Sequence, residues 1–182
     1  MSRIYKMRNS DGAYFVSFAT VYWIDVFICE IYFQVIIESL TFCRKEKGMQ
    51  IYGYCIMPIH IHLLFQAKNQ NPTEILRDFK KFTANQLIKL IRESQQESRR
   101  EWLLWMFPRA AEKRGNVQKY QFWQHHNQPI EIYSHKFFDE KLKYIHQNPM
   151  VSGFMYEPWE WKYSSARNYC GMSSVLNMDM MV

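Results

Sequence analysis

Apolar and polar positions alternate at two different periods along the chain, and the switches between periods mark its elements. Tyr14-Phe15-Val16-Ser17-Phe18-Ala19-Thr20 is dense in aromatic and β-branched residues and predicts a strand. From about Glu30 to Glu46 the apolar residues Phe33, Ile36, Ile37 and Leu40 recur at helical spacing, and Lys47-Gly48 stops the run. Ile51 to Met57 predicts a second strand, Pro58 a break, and His60 to Gln66 a third strand, so these two read as a hairpin. Asn71-Pro72-Thr73 opens a second helix with Thr73 as its cap, running to about Glu93 on the face of Ile75, Leu76, Phe79, Phe82, Leu87, Leu90 and Ile91.

A further helical segment is expected from Arg99 to Phe107, followed by a charged loop from Arg109 to Lys119 that holds Gly115. Tyr120 to Gln124 predicts a short fourth strand, and Phe137 to Gln147 a last helix ended by Asn148-Pro149. Strand, helix, two strands, helix, strand is the order of an α+β fold: a ferredoxin-like antiparallel sheet with helices packed on one face. The length of 182 residues and a 48% hydrophobic content suit a single domain with one sizeable core.

Charge adds a partner class. A formal net charge of +6 and a pI near 9.1 draw the chain toward polyanions, whose bound counterions are released on contact. Cys29, Cys43, Cys55 and Cys170 form no C-x-x-C pair, which argues against a structural zinc and for free thiols in a reducing cytoplasm. Met1 to Ser10 has no apolar core of a signal peptide. The most apolar stretch, near Tyr14 to Ile37, is interrupted by Asp25, Glu30 and Gln34, so no membrane span is expected.

The candidate chemistry sits at Met57-Pro58-Ile59-His60-Ile61-His62-Leu63-Leu64. On a strand, residues two apart share a face, so His60 and His62 project together while Ile61 and Leu63 enter the core. Two adjacent imidazoles are ready ligands for one divalent cation.

The flanks of this pair resemble a known family. Tyr54-Cys55-Ile56-Met57-Pro58-Ile59-His60-Ile61-His62 is similar to the Met-Pro-x-His-hydrophobic-His signature of IS200-like and REP-associated tyrosine transposases, of the His-hydrophobic-His (HUH) endonuclease superfamily. The other matches fall in order along the chain: Gly12 to Phe18, Leu76-Arg77-Asp78-Phe79-Lys80-Lys81-Phe82-Thr83, Phe122-Trp123-Gln124, Tyr144-Ile145-His146-Gln147-Asn148-Pro149, and Tyr163-Ser164-Ser165-Ala166-Arg167-Asn168-Tyr169. The resemblance implies a transposase that binds single-stranded or hairpin DNA. It also implies cleavage by a tyrosine hydroxyl, which forms a 5′-phosphotyrosine with the help of magnesium or manganese. Magnesium prefers oxygen, so a third ligand is expected beside His60 and His62, from Glu131, Gln128 or water.

The same resemblance places the tyrosine about four residues after Trp123, where this chain has Asn127. Tyr133 is the nearest substitute, followed by Tyr144 and Tyr120. The apolar neighbours Phe137 and Leu142 suggest core packing for Tyr144. His125 and His126 would face opposite ways on a strand, so at most one could join the pair; His146, Asn148 and Pro149 read as a structural helix end. The alternative to an active nuclease is a DNA-binding descendant that has lost cleavage.

Candidate phosphate contacts are Arg77, Lys80 and Lys81 on the second helix and Arg114 in the charged loop. Trp102, Trp105 and Phe107 interleave with a second basic region, where core packing is the simpler reading and base stacking the alternative. No aromatic pattern of an RNA-recognition module occurs. A homodimer and a monomer both remain compatible with the sequence.

Overall fold

The computed structural model describes residues 7–113 and 119–180. Strands β1 (Ala13–Ala19), β2 (Met49–Ile56), β3 (His60–Ala67) and β4 (Ile130–Glu131) form one antiparallel sheet in the order β2-β3-β1-β4. Helix α1 (Glu30–Glu46) carries the chain from β1 to the far edge, and α2 (Pro72–Glu93) carries it back. Two crossovers around a central hairpin are the order expected for an α+β, ferredoxin-like sheet.

Each strand divides its side chains between two cores. Tyr14, Val16, Phe18, Ile61, Leu63 and Phe65 pack against α1, α2 and α3 (Arg100–Glu112). Ala13, Phe15, Cys55, Met57 and Leu64 point the other way, against Phe138 and Ile145 of α4 (His135–Val151). The expectation of helices on one face therefore needs correction: α4 covers the second face, because Phe138, Leu142, Ile145 and Pro149 make a heptad-spaced stripe with an apolar sheet face to bury. Gly53 lets it come close, since a Cβ there would lie 2.7 Å from Leu142. A short α5 (Ala166–Tyr169) is the last helix among the described residues, and Ser165 Oγ in front of it both accepts from the Tyr54 amide and donates to the Tyr54 carbonyl.

Local boundaries differ from expectation for identifiable reasons. Asn71, not Thr73, caps α2: its side chain accepts from the Thr73 amide at 2.9 Å, and Pro72 takes the first helical position, where no N–H is needed. Helix α3 continues through Pro108 to Glu112, so Arg109 is helical rather than in a loop. Pro149 likewise lies inside α4, in its last turn, where a missing N–H loses one intrahelical bond and its ring is buried. Residues 120–124 form no strand beyond an isolated bridge between Thr20 and Trp123. Neighbouring Phe122 and Trp123 are both buried, which breaks strand alternation, and Trp123 Nε1 donates to Thr83 Oγ1.

All four cysteines are free. Among the described residues no helix is long and apolar enough to cross a membrane. The turn after β1 is strained: Tyr22 and Trp23 have φ of 56° and 53°, a left-handed conformation that costs such residues on the order of 1–3 kcal/mol each. It is held by Thr20, whose Oγ1 bonds the carbonyls of Ile24 and Ile59, and by the buried side chains of Val21 and Ile24.

Candidate functional site

His60 and His62 stand together on the sheet face covered by α4, with ring centres 4.6 Å apart. β3 puts them there by alternation: Ile61 and Leu63 are fully buried on the opposite side. His62 is 4% exposed, with Phe15 of the adjacent strand stacked on its ring at 5.6 Å. His60 lies nearer the surface. Burial pushes both imidazoles toward the neutral form, His62 to about 3, with the neighbouring His60 as a lesser cause. An uncharged imidazole is the form that can give a lone pair to a cation.

Helix α4 completes the site. Beside its buried stripe runs a second row at helical spacing, Phe137, Lys141, Tyr144 and Asn148, along the edge of the sheet core. The Asn148 side chain lies between the two rings: Oδ1 is 3.1 Å from His60 Nε2, and Nδ2 is 3.2 Å from His62 Nε2. One turn earlier, Tyr144 packs edge-on against His62 at 5.2 Å and against Phe15 at 5.9 Å, and it is 50% exposed. The core packing expected for Tyr144 is thus only half right, because one side of the ring stays open.

The residues fit a divalent cation. Both Nε2 atoms converge on the same carboxamide, whose oxygen is the hard donor that two imidazoles lack. With His60 donating to Asn148 and Asn148 donating to His62, the proton of His60 sits on Nε2 and that of His62 on Nδ1, which is buried without a partner; a cation takes both Nε2 lone pairs only once His60 moves its proton to Nδ1 and the carboxamide gives up these two bonds. Among the described residues no group of three or more His, Cys, Asp or Glu gathers for a metal, so the amide is what makes a third ligand available. Of the two expected oxygens, the Glu131 carboxylate accepts from Asn9 at 2.9 Å on the edge strand β4, and Gln128 lies in the loop before it with φ 42°.

The other sequence candidates are dispersed. Tyr133 is 79% exposed and stacks on Phe137 at 4.6 Å, at the opposite end of α4; about 14 Å of helix separates His135 from Tyr144. It therefore does not border the histidine pair. Lys80 turns inward: its Nζ donates to the Gln124 carbonyl at 2.8 Å and to Asn127 Oδ1, and lies 5.4 Å from the centre of the Phe18 ring. Arg77 and Lys81 are exposed, with Arg77 paired to Asp78 at 2.9 Å. Arg114 lies outside the described residues. His125 and His126 are exposed, and His146 bonds Ser165 Oγ at 2.9 Å as a structural contact.

Fold and site together define an α+β protein that presents two neutral imidazoles and an amide on one sheet face. The model of the family "Transposase IS200 like" matches residues 12–106, just over half of the chain. The chain belongs to this family of transposases. Among solved structures, a REP-associated tyrosine transposase bound to a REP hairpin has the same fold, with a TM-score of 0.64 at 14% identity over 100% of this chain and 94% of the other. A candidate transposase from Deinococcus radiodurans R1 gives a TM-score of 0.46 at 15% identity, over 80% of this chain and 94% of that one. Comparison with curated proteins finds no match.

Proposed function

We propose that the protein binds single-stranded or hairpin DNA and cleaves it with the Tyr144 hydroxyl, at a site where His60, His62 and Asn148 hold magnesium or manganese. The observation that carries this reading is the Asn148 carboxamide lodged between both imidazoles, one helical turn from Tyr144. Tyr144 replaces Tyr133 as nucleophile because its ring touches His62. The family supports a transposase role, and the hairpin bound to the similar solved structure supports hairpin DNA as the partner.

In the reaction the Tyr144 oxygen bonds to phosphorus and the bond to the 3′-oxygen breaks. The tyrosine gives up its proton to solvent, and the departing 3′-oxygen takes one up. A bound divalent cation would withdraw charge from the phosphate oxygens and from the leaving oxygen. Asn148 and the two imidazoles would hold that cation, while Phe15 and Tyr144 shield His62 from water. One phosphodiester is exchanged for another, so rejoining to a second 3′-hydroxyl needs no external energy source. All four groups belong to one chain, so a monomer carries a complete site.

The inactive-descendant reading rested on Asn127 at the expected tyrosine position. Asn127 accepts from Lys80 and its carbonyl accepts from the Ser17 amide, which is a structural occupation. The test is a covalent protein–DNA band on a denaturing gel, after incubation with a hairpin substrate and manganese. Tyr144→Phe should abolish the band and Tyr133→Phe should leave it. A band that survives Tyr144→Phe overturns the assignment.

A further inference from the structure

We propose that the aromatic stripe running from Trp102 along α3 to Tyr22 and Trp23 is a stacking platform for the bases of single-stranded DNA approaching the histidine pair. The proposal takes its partner from the DNA reading above but does not depend on cleavage. Trp102, Trp105, Arg109 and Lys113 recur at i, i+3, i+7 and i+11, so they share one face of α3, while Leu103, Phe107, Ala110 and Ala111 bury the other. Trp105 is 53% exposed and Trp23 is 62% exposed, so these rings are not spent on the core.

Two of the four rings, Trp105 and Tyr22, carry a cation on their faces. The Arg109 guanidinium lies 4.2 Å from the centre of Trp105, and Lys113 Nζ lies 5.7 Å from the centre of Tyr22. Glu101 and Glu112 also lie on α3, but the charges seated on these rings are both positive. Flat apolar faces beside fixed positive charge match a strand whose bases are unpaired and whose phosphates are near by.

The strained turn is the second, independent observation. Two consecutive bulky residues hold left-handed backbone at Tyr22 and Trp23, yet their rings gain little burial in return. Such an outlier is retained where it aims a side chain. The turn starts where β1 ends opposite His60, with the Thr20 amide bonded to the Ile59 carbonyl, so the platform lies at the same end of the sheet as the histidine pair, with α3 packed on the other face. Trp102 to Lys113 covers about 16 Å of helix, the length of four or five bases stacked about 3.4 Å apart.

The test is a fluorescence anisotropy titration in EDTA with an oligothymidylate of about 15 nucleotides and an abasic strand of equal length. Trp105→Ala and Trp23→Gly should each weaken oligothymidylate binding on the order of tenfold, and leave binding of the abasic strand unchanged. Trp23→Gly should also raise the melting temperature by relieving the left-handed backbone, which separates its binding loss from unfolding. Unchanged oligothymidylate affinity in both variants, or equal losses on both strands, overturns the platform. So does a shift in sedimentation in place of affinity, which would make the stripe a contact for a second copy. Hairpin binding without oligothymidylate binding in the parent chain sinks this inference alone. Absence of a covalent band, with Trp105-dependent binding intact, sinks only the cleavage reading.

Discussion

Tyr144 meets His62 edge-on with 5.2 Å between ring centres, across the interface of a helix and a strand more than 80 residues apart in the chain. Their contact joins the proposed nucleophile to the proposed ligand set, because Asn148, one turn further along α4, bridges His62 to His60. Several consequences of this arrangement can be measured.

Loss of the amide should weaken metal binding without unfolding the chain. Asn148→Ala is expected to lower manganese affinity by roughly 10–100-fold in a calorimetric titration. Asn148→Asp, which keeps an oxygen in place, should retain binding. Equal affinity in Asn148→Ala and the parent would remove the residue from the ligand set.

Metal removal should separate chemistry from recognition. EDTA is expected to abolish the covalent band while hairpin affinity stays within a few-fold, since phosphate contacts by exposed basic residues do not need the cation. His60→Ala should behave the same way with manganese present. A parallel loss of hairpin affinity would mean that these histidines hold the fold or the DNA instead.

Acid should destabilise the metal-free protein through His62. Burial lowers its folded-state value to about 3, below the unfolded value near 6.5, so the unfolded chain binds the proton first. The sign follows: stability is intact above about pH 6.5 and falls as pH drops toward 3, by at most about 1.4 kcal/mol per pH unit for this residue. Denaturant melts between pH 7 and 4 should show a shallower decline in His62→Gln than in the parent.

Lys80 and Lys81 should differ although they are adjacent. Lys80→Met leaves the Gln124 carbonyl and Asn127 amide without their donor and should cost about 1–3 kcal/mol of stability, with little effect on the salt dependence of DNA binding. Lys81→Gln should be nearly neutral for stability and should lower the salt slope by about one if the exposed ammonium meets a phosphate. Reversed outcomes would restore Lys80 as a DNA contact. Burial also pushes the Lys80 ammonium down to about 7, so stability from this residue should rise between pH 7 and 10 as the unfolded chain alone stays protonated.

The amino-acid order alone determined the first three strands of the antiparallel sheet, the two crossover helices and the shared face of His60 and His62; the fourth strand formed at Ile130–Glu131 rather than at Tyr120–Gln124. These follow from local periodicity: alternation on β3 obliges residues 60 and 62 to point together whatever packs on them. The motif spacing around Met57-Pro58 also pointed to the family that the matching model supports. The partner of the histidines was less legible. Tyr144 and Asn148 stand four apart, a spacing that places them on one helix face, but an Asn-Pro step reads locally as a helix end. Only packing of α4 on the second sheet face brings that row over His62 and leaves Tyr133 exposed at the far end. Whether Trp102 and Trp105 are core or surface was likewise decided by tertiary structure. α3 could turn only one face inward, and the structure turns in Leu103, Phe107, Ala110 and Ala111 while the stripe of Trp102 and Trp105 stays outside.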